Sequence, residues 1–140
     1  MRQVGSALWP RLRAVQVYGA NTGVGKTVVS TLLCKALRKR LPDYNVHYLK
    51  PISTGPLDEQ DNRHITRYSK DITSKTLLQF EDPVSPHIAA RISKEPIDDQ
   101  SILTRVYDEL LSYDTGKDAV AVVETAGGVL SPAPSGNVQA

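Results

Sequence analysis

Residues 19–27 read Gly-Ala-Asn-Thr-Gly-Val-Gly-Lys-Thr. Gly23 and Gly25 permit a tight turn that faces successive backbone N–H groups inward, a nest for phosphate oxygens. Lys26 would reach the β- and γ-phosphates of a nucleoside triphosphate, and the Thr27 hydroxyl would ligate Mg2+. The motif lies between the β-rich run AVQVY (14–18) and an amphipathic segment, the strand–loop–helix context that such a phosphate loop requires. Its spacing departs from GxxxxGK[ST], which would need glycine where Ala20 stands; Gly19 leaves five intervening residues instead. A chance glycine-rich turn is the alternative, and the flanks weigh against it. The loop points to a nucleotide without identifying a reaction.

Two more residues could share that chemistry. Glu124 ends the apolar run AVAVVE (119–124). An acid at such a strand end helps hold Mg2+ in phosphate-loop proteins, the alternative being a cap on the following turn. Lys50 ends the run NVHYLK before Pro51. It is either a second cation beside the phosphate cradle or a strand-end lysine whose stem covers apolar surface, and spacing leaves both open. Cys34 reads as a small buried hydrophobe rather than a reactive thiol. His87 reads as a loop histidine rather than a base. The three histidines are scattered, and no zinc-ligand spacing occurs.

The elements that must position these groups follow from periodicity. From Lys26, Val28, Val29, Leu32, Leu33, Ala36 and Leu37 recur on one helical face, predicting that this face is buried. Arg38, Lys39 and Arg40 fill the last turn as a solvated end that suits the macrodipole, and Pro42 marks the stop. Residues 45–50 form a second strand closed by Pro51, then a loop over 51–60. A polar helix starts near Asp61, its candidate N-cap. DPVSPH (82–87) is turn-rich, 88–93 is a short helix, and 98–113 is an amphipathic helix with Ile102, Leu103, Val106, Leu110 and Leu111 inward. Residues 119–124 suit a strand buried on both faces. Alternating strands and helices predict right-handed βαβ units, an α/β fold with a parallel sheet covered on both faces. Ligands bind beyond the carboxyl ends of such strands, where Gly19–Thr27, Lys50–Gly55 and Glu124–Gly128 all fall. Only three strands are evident, so the sheet is expected to be incomplete at the C-terminus, with unpaired edges.

Composition narrows the remaining classes. The 140 residues are 40% hydrophobic and 23% charged, which argues against disorder. No run is long and apolar enough for a membrane-spanning helix, and a single cysteine excludes an intrachain disulfide, so a soluble, non-secreted protein is expected. Residues 1–42 hold eight of the 17 basic residues and no acid. Nucleic-acid binding is disfavoured, because no aromatic-rich basic face or recognition motif accompanies that charge. Residues 1–12, with Arg2, Ser6 and Arg11, are either a disordered tail or the start of a mitochondrial transit segment, and 13–140 form the domain. Localisation is thus mitochondrial or cytoplasmic.

GANTGVGKT, KPISTG, DPVSPHIAA and VETAGGVLSPAPSG, in that order, resemble dethiobiotin synthetase over roughly residues 14–140. The longer phosphate loop is that family's form. VETAGG and LSPAPSG look more like the eukaryotic version, commonly fused to an aminotransferase that makes its substrate. The resemblance implies a phosphate-loop NTPase fold and an ATP-dependent cyclo-ligase of biotin biosynthesis. One amine of 7,8-diaminononanoate takes up CO2 as a carbamate. The carbamate attacks the γ-phosphate of ATP, and the second amine closes the ureido ring of dethiobiotin, releasing phosphate.

The resemblance also implies roles. Lys26 is the γ-phosphate lysine. Gly23, Val24, Gly25, Lys26, Thr27 and Val28 form the phosphate cradle. Thr27, Asp61 and Glu124 are the Mg2+ set, with Asp58 and Glu59 as nearby competitors for the place of Asp61. Lys50 faces carbamate and γ-phosphate, Thr54 contacts substrate, and Thr125, Ala126 and Gly127 line the ATP and substrate site. A homodimer is implied for the full-length family. Two other readings stand beside this one. A nucleotide switch of the partitioning type shares the loop and sheet but would carry lysine where Asn21 stands, and a truncated domain would be inert.

Overall fold

The computed structural model describes residues 10–56, 61–93 and 97–136. Residues 1–9, which make up most of the proposed tail, and the competitors Asp58 and Glu59 lie outside the described residues. Eight elements follow one another: β1 (Leu12–Val17), α1 (Lys26–Arg40), β2 (Asn45–Thr54), α2 (Asp61–Tyr68), β3 (Thr73–Phe80), α3 (Pro86–Ile92), α4 (Asp99–Tyr113) and β4 (Ala119–Glu124). The four strands make one parallel sheet in the order β1-β4-β2-β3. β4 is central, pairing Ala119–Glu124 with Leu12–Val17 on one side and Ala119–Val123 with Asn45–Leu49 on the other. Every residue of β4 is buried, as its unbroken apolar run requires.

Two helix layers cover the sheet. On one face Tyr48, Val46 and Val122 pack with Cys34 of α1 and Ile65 of α2. On the other, Leu49, Ala121 and Val123 pack with Leu110 and Tyr113 of α4. Side chains alternate along a strand, so Tyr48 and Lys50 share the α1 face with Val122 and Glu124. The α4 helix opens on Asp98, whose carboxylate accepts from Ser101 N at 2.6 Å and satisfies one of the free N–H groups of the first turn.

Five expectations need correction. A fourth strand, β3, exists where none was predicted. Among the described strands its sequence TSKTLLQF pairs with β2 alone, and a polar, lysine-bearing edge strand leaves a weak apolar signal. β2 does not stop at Pro51 but runs to Thr54. It leaves β4 after Leu49 and continues along β3, so the missing N–H of Pro51 costs no ladder bond on the side where β4 has ended. In α1 the predicted apolar face is turned outward: Val28, Val29 and Leu32 are exposed, while Ser30, Thr31 and Cys34 are buried and Leu33 and Leu37 half-buried. In α4, Ile102 and Leu110 are buried as expected, but Leu103 and Leu111 are exposed and Tyr113 takes the inward place. At the N-terminal side, β1 opens at Leu12, already buried, rather than at Ala14.

Candidate functional site

The phosphate loop links β1 to α1 and owes its shape to glycine. Gly23 and Gly25 take φ of 76° and 88°, left-handed values that side-chain-bearing residues avoid. Gly25 is the N-cap of α1, where no side chain caps the helix and the first turn holds no acid. The free N–H groups and the positive end of the helix macrodipole are thus left for an anion. Lys26 follows at once. Its Nζ donates to Asn21 O at 2.9 Å, folding the stem across the loop, and only 8% of the residue is exposed. Burial, and then the like charge of Lys50, hold its pKa below the ordinary lysine value.

β2, the end of β4 and the first turns of α1 and α2 deliver the other groups. Lys50 donates from β2 to Glu124 Oε1 at 3.1 Å and pairs with Asp61 Oδ2 at the start of α2. Thr27 Oγ1 lies 2.7 Å from Asp61 Oδ1 and 3.0 Å from Glu124 Oε1. A hydroxyl has one proton, so it satisfies one of those carboxylates at a time, and the second contact needs a positive centre nearby. Lys50 supplies one. The donor set, a hydroxyl and two carboxylates, also suits a hard divalent cation such as Mg2+, which takes oxygen ligands.

Glu124 is fully buried, and its other oxygen, Oε2, accepts from Ser30 Oγ at 2.7 Å and Tyr48 OH at 3.1 Å. Burial and the neighbouring carboxylates push the Tyr48 phenol far up, so it remains a donor. Burial likewise pushes the Cys34 thiol up to about 12, in keeping with a packed rather than reactive sulfur.

These groups open onto one cavity of 440 Å3. Of the expected residues, Gly23, Gly25, Lys26, Thr27, Val28, Lys50, Thr54, Asp61, Glu124, Ala126 and Gly127 line it. Val24 and Thr125 do not. Val24 is 52% exposed, on the outside of the loop. Thr125 is buried against β1, where its amide and its hydroxyl donate to Val17 O at 3.1 and 3.2 Å. Its position after β4 is a stitch between strands, not a wall of the site. Individual sequence reasoning missed Ser53, the segment Pro83–Pro86 and Ser131, all on the cavity wall, although DPVSPHIAA and VETAGGVLSPAPSG marked the latter two segments. His87 lies at the start of α3 with Nδ1 3.1 Å from Ser85 Oγ. No helix among the described residues is long and apolar enough to cross a membrane.

Comparison with known proteins agrees with this geometry. A family model described as "AAA domain" matches residues 13–140. Over all 140 residues the chain is 53% identical to a bifunctional dethiobiotin synthetase/adenosylmethionine-8-amino-7-oxononanoate aminotransferase of Emericella nidulans, of which it spans 18%. It is 31% identical, over 90% of its own length, to a mitochondrial bifunctional dethiobiotin synthetase/7,8-diamino-pelargonic acid aminotransferase of Oryza sativa, of which it spans 22%. It is 31% identical, over 91% of its length, to an ATP-dependent dethiobiotin synthetase of Chlamydia pneumoniae, of which it spans 51%. Phosphate loop, parallel sheet and profile match coincide over the same residues, and the chain belongs to the AAA domain family, with dethiobiotin synthetases as its relatives.

Proposed function

We propose that this chain is the ATP-binding portion of a dethiobiotin synthetase, which carboxylates 7,8-diaminononanoate with CO2 and closes the ureido ring at the expense of ATP. The observation that carries the reading is the convergence of Lys26, Lys50, Thr27, Asp61 and Glu124 on one cavity at the carboxyl ends of the strands. The reaction must gather several anions, and two buried lysines with a helix N-terminus meet that demand. In this reading the amides of Gly23–Val28 hold the triphosphate. Lys26 swings from Asn21 O to the γ-phosphate. Lys50 faces the carbamate oxygen that attacks phosphorus as the bond to the ADP oxygen breaks. The second amine then attacks the carbonyl carbon of the carbamic–phosphoric anhydride, and phosphate leaves. Thr27, Asp61 and Glu124 would hold Mg2+, which neutralises charge on the phosphoryl oxygens. Thr54 and the Ala126–Gly127 turn lie on the wall where the diamine would sit.

The test is direct. The intact parent protein of this chain, given diaminononanoate, bicarbonate and Mg·ATP, should release phosphate and form dethiobiotin, and an absence of diamine-dependent phosphate release refutes the reading. A mitochondrial address is supported by the acid-free, arginine-containing first residues and by the printed name of the rice relative. Imaging of the tagged protein tests it. The resemblance further carries a homodimer, which sedimentation of the purified protein tests.

A further inference from the structure

The two oxygens of Glu124 divide their partners. Oε1 meets Thr27 and Lys50 at the cavity, and Oε2 meets Ser30 and Tyr48 behind it. Ser30 and Tyr48 are both fully buried and line no part of the cavity. The same two elements supply both pairs. On α1, Ser30 stands three residues after Thr27, one helical turn along the same face. On β2, Tyr48 stands two residues before Lys50, on the same side of the sheet. The last torsion of a glutamate is soft, so the side chain alone does not fix the plane of its carboxylate. Two hydroxyls on a single oxygen do.

We propose that Ser30 and Tyr48 are positioning residues that lock the Glu124 carboxylate with Oε1 aimed into the cavity, presetting it for a divalent cation on the bound nucleotide. The inference rests on the Mg·ATP reading of the site. Partners of this kind orient a ligating carboxylate, and their loss typically costs 10–100-fold in metal affinity. It predicts a split that simple loss of packing would not produce. The phosphate cradle is untouched by either hydroxyl, so metal-free nucleotide binding persists while the gain from metal falls.

The experiment measures ATP affinity calorimetrically in Mg2+ and in EDTA for the wild type, Tyr48→Phe, Ser30→Ala and the double variant, with thermal melts as a check on folding. Each substitution removes a hydroxyl and keeps the rest of the shape. The expected result is an affinity in EDTA within twofold of the wild type and a Mg2+-dependent gain reduced about tenfold by each substitution. Cooperative melting with an undiminished gain in all three variants overturns the positioning role while leaving the Mg·ATP reading intact. Equal losses in Mg2+ and EDTA also overturn it, since they mark general damage. If one single variant fails to melt cooperatively, the other decides. A wild type with no Mg2+-dependent ATP binding overturns the site reading and this inference together.

Discussion

Replacing Lys50 by methionine should expose how the site stores charge. Methionine keeps much of the bulk of the stem and removes the ammonium. That ammonium is 6% exposed as a residue and is the cation against Glu124 Oε1 at 3.1 Å. Removing one partner of a buried ion pair costs about 3–5 kcal/mol, because the other charge stays buried and uncompensated. Glu124 retains hydroxyl neighbours in Thr27, Ser30 and Tyr48, so the lower end, about 3 kcal/mol, applies. For a domain of this size that is a fall in melting midpoint of about 10 °C. The second part of the prediction is sharper. With the lysine gone, Asp61 and Glu124 share no cation and should accept a divalent one. Mg2+ at tenfold its dissociation constant would restore about 1.4 kcal/mol, or roughly 4–5 °C. Scanning calorimetry at pH 7.5, with Mg2+ and with EDTA, measures both. A midpoint within about 3 °C of wild type, or a variant no more responsive to Mg2+ than wild type, refutes the account.

Three other outcomes follow from particular contacts. His47 stacks on Tyr113 with ring centroids 3.9 Å apart, both its ring nitrogens lack hydrogen-bond partners, and burial holds its pKa below 6.5 despite the opposing charge of Glu109. The native state therefore binds fewer protons than the unfolded chain in acid: stability is whole above pH 6.5 and is lost as pH falls below it. Urea unfolding from pH 7.5 to 5.5 should show this loss, and His47→Phe should flatten it. Thr125→Val should cost about 1 kcal/mol of stability in denaturant unfolding yet leave ATP affinity within twofold, since that hydroxyl serves β1. In Gly128→Ala the new Cβ would come 2.5 Å from Ala20 O and 3.1 Å from Asn21 Cα, both backbone of the phosphate loop. An overpacking cost of about 1–3 kcal/mol should appear as roughly tenfold weaker ATP binding by calorimetry.

The phosphate loop, Asp61 and Glu124 are legible because their chemistry lies at strand and helix ends, which local patterning marks, whereas Lys50 lies inside β2 and is marked only by the Pro51 that follows it. What surrounds them is not legible. Periodicity put Val28, Val29 and Leu32 inside α1, but that helix faces a buried carboxylate, so the inward places went to Ser30, Thr31 and Cys34. Polar satisfaction outweighed apolar burial there. β3 escaped notice because an edge strand needs few apolar residues. The end of β2 is hidden because a proline breaks a ladder only on the side its missing N–H faces, and beyond Leu49 β2 no longer pairs with β4. Ser53, Pro83–Pro86 and Ser131 reach the cavity through tertiary closure, which no local period encodes.

The sheet order carries a consequence for how the molecule is made. Among the described strands, the last in chain order sits between β1 and β2, and Ala119 pairs with Leu12 on one side and Asn45 on the other. A nascent chain that has emerged only to α4 therefore holds β1 with no sheet partner among the described strands. The loop that cradles phosphate hangs from that unsupported strand. Insertion of β4, delivering Glu124 to a lysine 74 positions upstream, is then a late, entropically demanding step. Nucleotide affinity should arise together with the insertion of β4 rather than in stages before it.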